Sequence, residues 1–505
     1  MGAEPDDQPL VPRWLLSLVL GLTLFRLWAA SQTGLLPDEA YYWLWSRNPQ
    51  VGYYDHPPMI AWWIWFSTGV FGQSAFGIRL LPVLSTAADT LLTFAVAREA
   101  GLGRNGSAMA GLLLNAMVMF GLNAAVATPD APAVTFWLLA LWALIRLRRT
   151  GTMTLWLAVG LFAGLGCASK YTNFFLGPGI CLCIALDRDF RARCSVAWIA
   201  AGLLVAAAVF APVFVWNMQN DWVSFVKQFG RIGEVKGASG HTLEFLATQV
   251  ALLNPIIAGL VVLGLVILSR SGRDTASRPM LFLMATSLPL VAYMALHSLH
   301  DRVQGNWLLP IYPALAILAA FAVAHKSDMR IAMARFASLL GLGATMAVNL
   351  YMGSPAAATL SLRSPADGAV GWESLADRLH TMARRHKAGW IGTANYGVTA
   401  ELTYHLADSV RVIDVFEPIR YAFEGPARPL GDRPGLLVLR MRDVAPEMLT
   451  ACFSSMVPVD TIDRSAHRRW LEGYHVIRVD GPAAALTSSG CRTENVDPKS
   501  VAEGR

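Results

Sequence analysis

The stretches LPDEAYYW (residues 36–43) and GYYDHPP (residues 52–58) decide the fold class of this chain. They follow directly on an apolar segment, residues 14–30, which is long enough to enter a bilayer. Two adjacent carboxylates, and a third beside a histidine, therefore lie at the end of a membrane span. Ionisable groups at the edge of a bilayer are costly to desolvate, so their clustering among aromatic residues indicates a functional site. The alternative is an interfacial aromatic belt with incidental charges, but such belts do not concentrate acids.

The composition is that of a membrane protein. Of the 505 residues, 54% are hydrophobic and 15% are charged, whereas soluble domains carry about 25% charged residues. Apolar stretches recur from Arg13 to Tyr351, and a stretch of about 20 residues crosses a hydrocarbon core of about 30 Å. The first stretch lacks a small-residue cleavage site, so we expect it to be a membrane span and not a signal peptide.

The distribution of Lys and Arg predicts the topology of a mostly α polytopic membrane protein with about 11 transmembrane helices. The predicted spans are residues 13–31, 76–97, 105–122, 130–147, 153–168, 172–187, 195–216, 243–268, 279–298, 307–324 and 331–352. Basic residues fall in alternate loops, which the positive-inside rule assigns to the cytoplasm. These residues are Arg98, Arg104, Arg146, Arg148, Arg149, Arg188, Arg191, Arg193, Arg270, Arg273, Arg278, Lys326 and Arg330. An odd number of spans then places the C-terminal region outside the cell membrane.

The formal net charge of +6 reflects this loop orientation. The chain has no basic stripe with interleaved aromatic residues, so we predict no nucleic-acid partner.

The loops on the other side carry acids, bases and aromatic residues. The first external loop, residues 32–75, holds both acidic stretches, and its part 59–70 is predicted to be a helix lying in the membrane interface. Further external turns and loops lie at residues 127–132, 169–172, 217–241 and 300–307. Their polar residues include Asp130, Lys170, Asp221, Lys227, Arg231, Glu234, Lys236, His300, Arg302 and Asn306. Polar and charged residues that lie together on one face of the membrane suit a site that binds a polar head group with a lipid-embedded tail.

The composition changes after the last predicted span. The predicted domains are a membrane domain over residues 1–352, a small external α/β domain over 353–482 and a disordered tail over 483–505. In the α/β domain, the pattern predicts a helix over 372–386 and strands over 390–393, 435–440 and 475–479. Cys452 and Cys491 are the two cysteines of the external region. A disulfide between them is one interpretation, against which Cys491 falls in the predicted tail.

Five segments resemble the GT-C glycosyltransferases. They are DEAYY (38–42), YYDHPP (53–58), TPDAP (128–132), SKYT (169–172) and NWLLPIYP (306–313). Within these enzymes the chain resembles the bacterial branch related to protein O-mannosyltransferases and to the lipid A aminoarabinose transferase. Its tyrosine-rich loop is similar to the rhizobial lipopolysaccharide galacturonosyltransferases. Each motif alone is weak, but five in this order on one membrane side are specific.

The resemblance implies an inverting transfer of a sugar from a polyprenyl-phosphate donor, at the periplasmic side of the bacterial inner membrane. An acceptor hydroxyl that attacks an anomeric carbon benefits from a carboxylate base. Asp38 matches the family position of that base, and Asp130 matches a second family acid whose implied role is to position the acceptor or donor head group. Glu39, beside Asp38, is also predicted to be catalytic. The lipid phosphate is already a good leaving group and needs positive charge more than a proton. Lys170 matches a family lysine and is predicted to contact this phosphate, with Arg302 or His300 as a second contact. The alternative is a lysine that only extends its charge to the membrane interface.

The remaining candidates are predicted to bind substrate. Tyr41 and Tyr54 are expected to stack on a sugar ring or to pack at the interface. His56 is expected either to be structural or to hydrogen-bond Asp55 or the sugar. Further substrate-binding candidates from the family motifs are Asp55, Tyr171, Asn306 and Trp307.

No cofactor is predicted with certainty. No Cys or His spacing resembles a zinc site, and the sequence leaves a divalent cation open without indicating one. The predicted partners are the polyprenyl-phosphate sugar donor, an envelope acceptor (glycan, lipid or protein) and membrane lipids. The sugar stays open, because the first external loop offers no clear basic clamp for an anionic one.

Two other functions compete with the enzyme. A transporter carries its charges near the midplane, often in paired repeats, whereas here they fall at the external ends of the spans. A non-catalytic lipid-binding or polysaccharide-assembly protein of the same fold is consistent with the same motifs.

Overall fold

The computed structural model describes residues 11–229, 240–270, 278–325, 328–352, 365–407, 409–425, 430, 433–443, 446–466 and 469–482. The chain divides into two compact units. The helical unit consists of Met1–Ala30, Asp55–Trp63 and Arg79–Asn349, and the sheet unit of Ser31–Tyr54, Ile64–Ile78 and Leu350–Arg505. The first acidic stretch therefore groups with the C-terminal part of the chain. Predictions for Arg231, Glu234, Lys236, Arg273, Lys326, Cys491 and the tail lie outside the described residues.

Seventeen helices precede the C-terminal region in the described residues. They are α1 (Arg13–Gln32), α2 (Pro37–Arg47), α3 (Met59–Phe71), α4 (Ala75–Glu99), α5 (Arg104–Ala116), α6 (Val118–Asn123), α7 (Asp130–Thr150), α8 (Leu155–Cys167), α9 (Leu176–Leu186), α10 (Arg188–Arg193), α11 (Val196–Gln219), α12 (Val223–Phe229), α13 (Thr242–Leu253), α14 (Pro255–Arg270), α15 (Arg278–His297), α16 (Tyr312–Ala324) and α17 (Asp328–Met352). Short 3₁₀ helices occupy Tyr171–Phe175 and Gly305–Ile311.

The prediction of a mostly helical, polytopic membrane protein is confirmed. Within the described residues, seven helices are long and apolar enough to cross a membrane, or eight if the bent pair α13–α14 forms one span. Three further apolar segments are shorter: Met59–Phe71, Leu155–Cys167 and Tyr171–Leu186. The finer count of 11 spans stays a prediction.

The span predicted over residues 243–268 is two helices. Helices α13 and α14 are bent by 100° relative to each other. Asn254 between them has a φ of 73°, in the left-handed region, and Pro255 begins the next helix. The Asn254 amide donates to the Ala337 carbonyl at 2.9 Å, and its side-chain oxygen accepts from Ile256 N–H. Proline and the left-handed residue together stop the helical ladder, which a hydropathy pattern cannot detect.

Glycines let helices α8 and α11 approach closely in the helical unit. A Cβ added at Gly160 would lie 2.0 Å from the Gly202 carbonyl oxygen, and one at Gly164 would lie 2.8 Å from the Ala206 carbonyl oxygen. Small residues four positions apart therefore form the contact surface of α8, as is common where backbones pack inside a membrane.

The sheet unit contains a five-stranded mixed sheet. Its strands are β1 (Trp390–Thr393), β2 (Arg411–Asp414), β3 (Gly435–Arg440), β4 (Phe453–Ala466) and β5 (Arg469–Pro482), in the order β2-β1-β3-β5-β4. The pairs β1–β2 and β1–β3 are parallel, and the pairs β3–β5 and β4–β5 are antiparallel. The sheet unit also contains α18 (Trp372–Arg385), α19 (Tyr396–Leu406) and the 3₁₀ helices Pro365–Ala369, Pro418–Glu424 and Pro446–Cys452.

Each face of this sheet packs against apolar side chains. On one face, Leu375 and Leu379 of α18 and Leu402 of α19 join a core with Ile391 and Val476. On the other face, Leu437 and Leu439 pack with Trp390 and Phe453.

The predicted helix over 372–386 and the predicted strands over 390–393 and 435–440 are confirmed. The strand predicted over 475–479 is part of the longer β5. Strands β2 and β4 and helix α19 were not predicted.

Candidate active site

Helix α2 carries the first acidic pair, and it exposes one acid while burying the other. Pro37 occupies the first turn, where its missing N–H costs no hydrogen bond. Glu39 is fully buried, and its Oε2 accepts the Leu36 backbone N–H at 2.9 Å. This bond satisfies a donor at the start of the helix, as in a capping box. Asp38 is exposed. Helix α2 therefore assigns a local structural contact to Glu39 and leaves Asp38 accessible.

Asp38 accepts a hydrogen bond from Tyr396, the first residue of α19, and the Oη–Oδ1 distance is 2.7 Å. Asn395 caps this helix by accepting the N–H groups of Gly397 and Val398. The Arg420 guanidinium lies over the Tyr396 ring, 4.6 Å from its centroid. These contacts hold the phenol against the carboxylate. Sequence reasoning missed Tyr396, because only an Asn at the start of a short helix marks its position.

The tyrosines of the acidic stretches pack mainly on other aromatic residues of the sheet unit. Tyr41 is 1% exposed, and its hydroxyl donates to the Arg420 carbonyl at 2.9 Å. Its ring contacts those of Trp45 and Tyr396 at centroid distances of 4.9 and 5.1 Å. Tyr54 is half-buried, and the Arg420 guanidinium lies 5.3 Å from its ring centroid. Of the predicted sugar-stacking pair, Tyr41 is thus occupied by packing, whereas Tyr54 keeps a partly open ring.

Two buried carboxyl groups of the sheet unit have raised pKa values. Burial raises the pKa of Glu401 to about 7, with the Glu39 carboxylate adding to the shift and His405 opposing it. Burial likewise raises the pKa of Asp414 to about 6, although it accepts the N–H groups of Phe416 and Glu417. Burial thus disfavours the charged form of both carboxyl groups.

In the helical unit, Asp130 is bound by two predicted site residues. Asp130 begins α7 and is 1% exposed, and Lys170 is 6% exposed. Lys170 Nζ lies 2.7 Å from Asp130 Oδ1, and the Asn306 amide donates to Asp130 Oδ2 at 2.8 Å. The structure thus brings together residues from the predicted external segments 127–132, 169–172 and 300–307. The two opposite charges of this buried ion pair lie in direct contact, and the Asn306 amide satisfies the second carboxylate oxygen.

Other candidates in the helical unit have contacts of their own. The Gln228 amide donates to the Asp55 backbone carbonyl at 2.6 Å, and His56 beside it is half-buried. The Tyr171 hydroxyl bonds with the Ser224 hydroxyl at 2.9 Å. This bond links the 3₁₀ helix that begins at Tyr171 to helix α12, which contains Ser224.

Arg302 and His300, the candidates for a second phosphate contact, lie at the surface, whereas Lys170 is buried. Arg302 is exposed and pairs with Glu244 at 3.3 Å, and His300 is also exposed. The Trp307 ring lies 5.5 Å from the ring of His297. Among the fifth-segment candidates, the hydrogen bond to Asp130 comes from Asn306.

In the part of the chain that the structure describes, no group of three or more His, Cys, Asp and Glu side chains could hold a metal ion.

Comparison with known proteins gives matches in sequence and in fold. Residues 55–216 match the family model described as dolichyl-phosphate-mannose-protein mannosyltransferase. The lipid A galacturonosyltransferase RgtD of Rhizobium johnstonii is 31% identical over 316 residues, which cover 61% of this chain and 65% of that protein. An undecaprenyl phosphate-alpha-4-amino-4-deoxy-L-arabinose arabinosyl transferase of Pseudomonas fluorescens is 29% identical over 42% of each chain. The matches thus span less than two thirds of either relative.

The fold match covers almost the whole chain. ArnT from Cupriavidus metallidurans in the apo state superposes with a TM-score of 0.65 and 17% identity, over 94% of this chain and 98% of that one. The same protein bound to undecaprenyl phosphate gives a TM-score of 0.63 and 16% identity, over 94% and 99% of the two chains. At this identity the match shows the fold alone. The matches together confirm the resemblance to GT-C glycosyltransferases that the five motifs predict.

Proposed function

We propose that this protein is an inverting glycosyltransferase that moves a sugar from a polyprenyl-phosphate donor to a bacterial envelope acceptor. The observation that carries the proposal is the exposed Asp38 carboxylate, held by the Tyr396 hydroxyl at 2.7 Å. The sequence match to a lipid A galacturonosyltransferase supports the reaction class and makes lipid A the first acceptor to test. The fold shared with a protein solved with undecaprenyl phosphate supports the donor class.

In the proposed reaction, Asp38 is the general base. The acceptor hydroxyl oxygen attacks the anomeric carbon while its proton passes to Asp38. The bond from the anomeric carbon to the phosphate oxygen breaks, and the phosphate leaves with the electron pair. One displacement inverts the anomeric configuration. In this proposal the adjacent carboxylate, Glu39, has a structural role at the start of α2.

Lys170 is the proposed contact of the leaving phosphate. An ammonium group has three N–H donors, and the bond to Asp130 uses one of them. Asp130 and Asn306 would then orient the ammonium group. Positive charge at the phosphate stabilises the negative charge that it gains as the glycosidic bond breaks.

We further propose an 11-span topology with the active site and the C-terminal domain in the periplasm. Ion pairs among the basic loops support one common face for them within the helical unit. Glu99 pairs with Arg146 and Arg149, and Asp187 pairs with Arg148 and Arg278. Thiol labelling of single cysteines in intact spheroplasts tests this topology. Glu373→Cys should react with an impermeant reagent and Arg191→Cys should not; the reverse result would contradict the orientation.

The catalytic proposal is tested with purified protein, an undecaprenyl-phosphate sugar donor and lipid A. We expect transfer by the wild type and a fall in rate of about 10²–10⁴ in Asp38→Asn, which keeps the shape but removes the base. Asp377→Asn is the matched control, because Asp377 is an exposed acid on α18 of the same unit. Near-normal transfer by Asp38→Asn would overturn the assignment. A wild type that binds the lipid donor but forms no glycosylated product with any envelope acceptor would favour the transporter or the non-catalytic alternative.

A further inference from the structure

A cavity of about 390 Å³ lies in the sheet unit. Three arginines line it, Arg440, Arg442 and Arg464, together with Trp372 and Tyr474. Small-molecule sites typically measure about 300–1,000 Å³ and use a small number of placed polar groups to orient the ligand. The size of the cavity therefore suits a sugar with one charged substituent.

Arg464 is the cavity arginine for which the described residues provide no acidic partner within 4.0 Å. It is 7% exposed, and one of its terminal nitrogens donates to the Asp367 and Val370 backbone carbonyls, each at 2.6 Å. Its guanidinium lies 4.3 Å from the centroid of the Trp372 ring. Among the described residues no Asp or Glu oxygen lies within 4.0 Å of it, and its buried Nε has no hydrogen-bond partner there. A buried cation without a counter-ion is costly, so an anion bound beside it would be strongly favoured.

The other charges around the cavity are paired. Arg442 lies 2.7 Å from Glu472, and Arg440 lies 2.5 Å from Asp443. Asp367, which also lines the cavity, pairs with Arg469. Within the described part of the chain, these pairs leave Arg464 without a carboxylate in ion-pair contact.

The titratable groups that interact with Arg464 are Glu401, which is only partly ionised near pH 7, and Tyr474. Burial raises the pKa of Glu401 to about 7, although Arg464 acts in the opposite direction. Burial also raises the pKa of the Tyr474 phenol, and its hydroxyl is buried in the cavity wall. The N–H groups of Gly397 and Val398 at the start of α19 are already capped by Asn395. An anion would thus meet guanidinium groups, which bind phosphate and carboxylate through two parallel N–H bonds.

The cavity adjoins the proposed base within the same unit. Pro37 and Tyr396 both line it. Pro37 precedes Asp38 in α2, and the Tyr396 hydroxyl donates to the Asp38 carboxylate. A ligand in the cavity would therefore lie close to the group that removes the acceptor proton.

We propose that this cavity binds the anionic sugar headgroup of the acceptor, with the phosphate or carboxylate of that sugar on Arg464. The identification of the ligand as the acceptor rests on the proposed function, whereas the anion site itself does not depend on it. It assigns specificity to the C-terminal part of the chain: an acceptor without a negative charge would be bound poorly.

The first test is direct binding to the full-length protein in detergent, without turnover. The probes are labelled glucose 1-phosphate, glucuronate and uncharged glucose, and equilibrium dialysis measures the binding of each. We expect one or both anionic sugars to bind and glucose not to bind. Arg464→Met should weaken binding by about tenfold to a hundredfold, as expected for one charge-assisted contact.

Arg464 also donates to two backbone carbonyls, so its substitution affects folding as well as binding. A second variant, at another arginine of the cavity, separates these two effects. Arg442→Gln changes a half-exposed lining arginine and should weaken the anionic sugar by about tenfold. Arg384→Gln is the matched control, an exposed arginine on α18 outside the cavity lining, and should bind as the wild type does. Equal binding of glucose and the anionic sugars, or wild-type affinity in both cavity variants, would overturn the anion site.

Turnover separates the two proposals. Asp38→Asn should still bind the anionic sugar while losing transfer. If the wild type binds it but transfers no sugar, the proposed function fails and the anion site stands. If transfer occurs, Arg442→Gln should raise the KM for phosphorylated lipid A and leave the donor KM unchanged. A rise in the donor KM alone would instead overturn the assignment of the cavity to the acceptor.

Discussion

Asp130 and Lys170 stand 40 positions apart in the sequence, and Asp130 Oδ1 and Lys170 Nζ lie 2.7 Å apart in the structure. Both side chains are buried. Asn306 donates to the other carboxylate oxygen, so each oxygen of the acid has a hydrogen-bond partner. The pair has the properties of a rigid support for the lysine charge, which is what a phosphate contact needs.

Lys170→Met should weaken the binding of the lipid donor, because it removes the charge and keeps most of the apolar stem. The lost contact is worth about 1.5–3 kcal/mol. It also leaves Asp130 buried without its cation, which destabilises the fold by about 3–5 kcal/mol. The double variant Lys170→Met with Asp130→Asn relieves that second effect. Donor titrations of both variants check the prediction: weak binding that the double variant restores would contradict a phosphate contact.

Tyr396→Phe should lower the transfer rate about tenfold while leaving the KM of both substrates near the wild-type value. The substitution keeps the ring beneath Arg420 and removes only the hydroxyl that binds Asp38. Hydrogen bonds to a charged group contribute about 1.5–3 kcal/mol. Steady-state kinetics measure whether the maximal rate falls while both KM values stay near those of the wild type. Tyr404→Phe, on the same helix and packed on Trp43, is the control. A KM change with an unchanged maximal rate would argue that Tyr396 binds substrate and does not position Asp38.

Stability should fall as the pH rises from about 4.5 to about 7, through the titration of Glu401. Its pKa in the folded state is about 7, against 4.5 for an ordinary Glu. Between these values the folded state binds more protons than the unfolded state, so raising the pH favours unfolding. The penalty above pH 7 is on the order of 3 kcal/mol.

Thermal unfolding of the full chain at a series of pH values measures this dependence. Glu401→Gln should flatten it, and Glu373→Gln, at an exposed site on α18, should not. Asp414 shifts in the same direction and leaves a smaller slope up to about pH 6. A profile of Glu401→Gln that matches the wild type would exclude Glu401 as the titrating group.

Gly160→Ala should destabilise the helical unit, because its Cβ would lie 2.0 Å from the Gly202 carbonyl oxygen. Overpacking of this kind costs about 1–3 kcal/mol. Gly177→Ala is the matched control, since a Cβ at Gly177 meets nothing within 4 Å. The midpoint of thermal unfolding in detergent compares the two. A normal midpoint for Gly160→Ala would show that α8 and α11 can separate without cost.

The sequence by itself determined the membrane class, the helical character and the resemblance to GT-C glycosyltransferases. These follow from hydropathy over about 20 residues and from short motifs, both of which are local. Local periodicity likewise predicted α18, β1 and β3. It could not detect β4, whose buried positions are sparse along a strand in which most side chains are at least partly exposed. It also missed the break at Asn254, because a left-handed residue does not alter hydropathy.

Only the tertiary structure decided which candidates meet. Asp38 and Glu39 are adjacent and chemically alike, yet the helix start buries one and exposes the other. Asn306, and not Arg302, reaches Asp130. Tyr396 and Arg464 carry no local signal, because their roles depend on contacts with residues distant in the chain. Burial and pairing set the charge state and accessibility of a side chain, and the fold alone determines both.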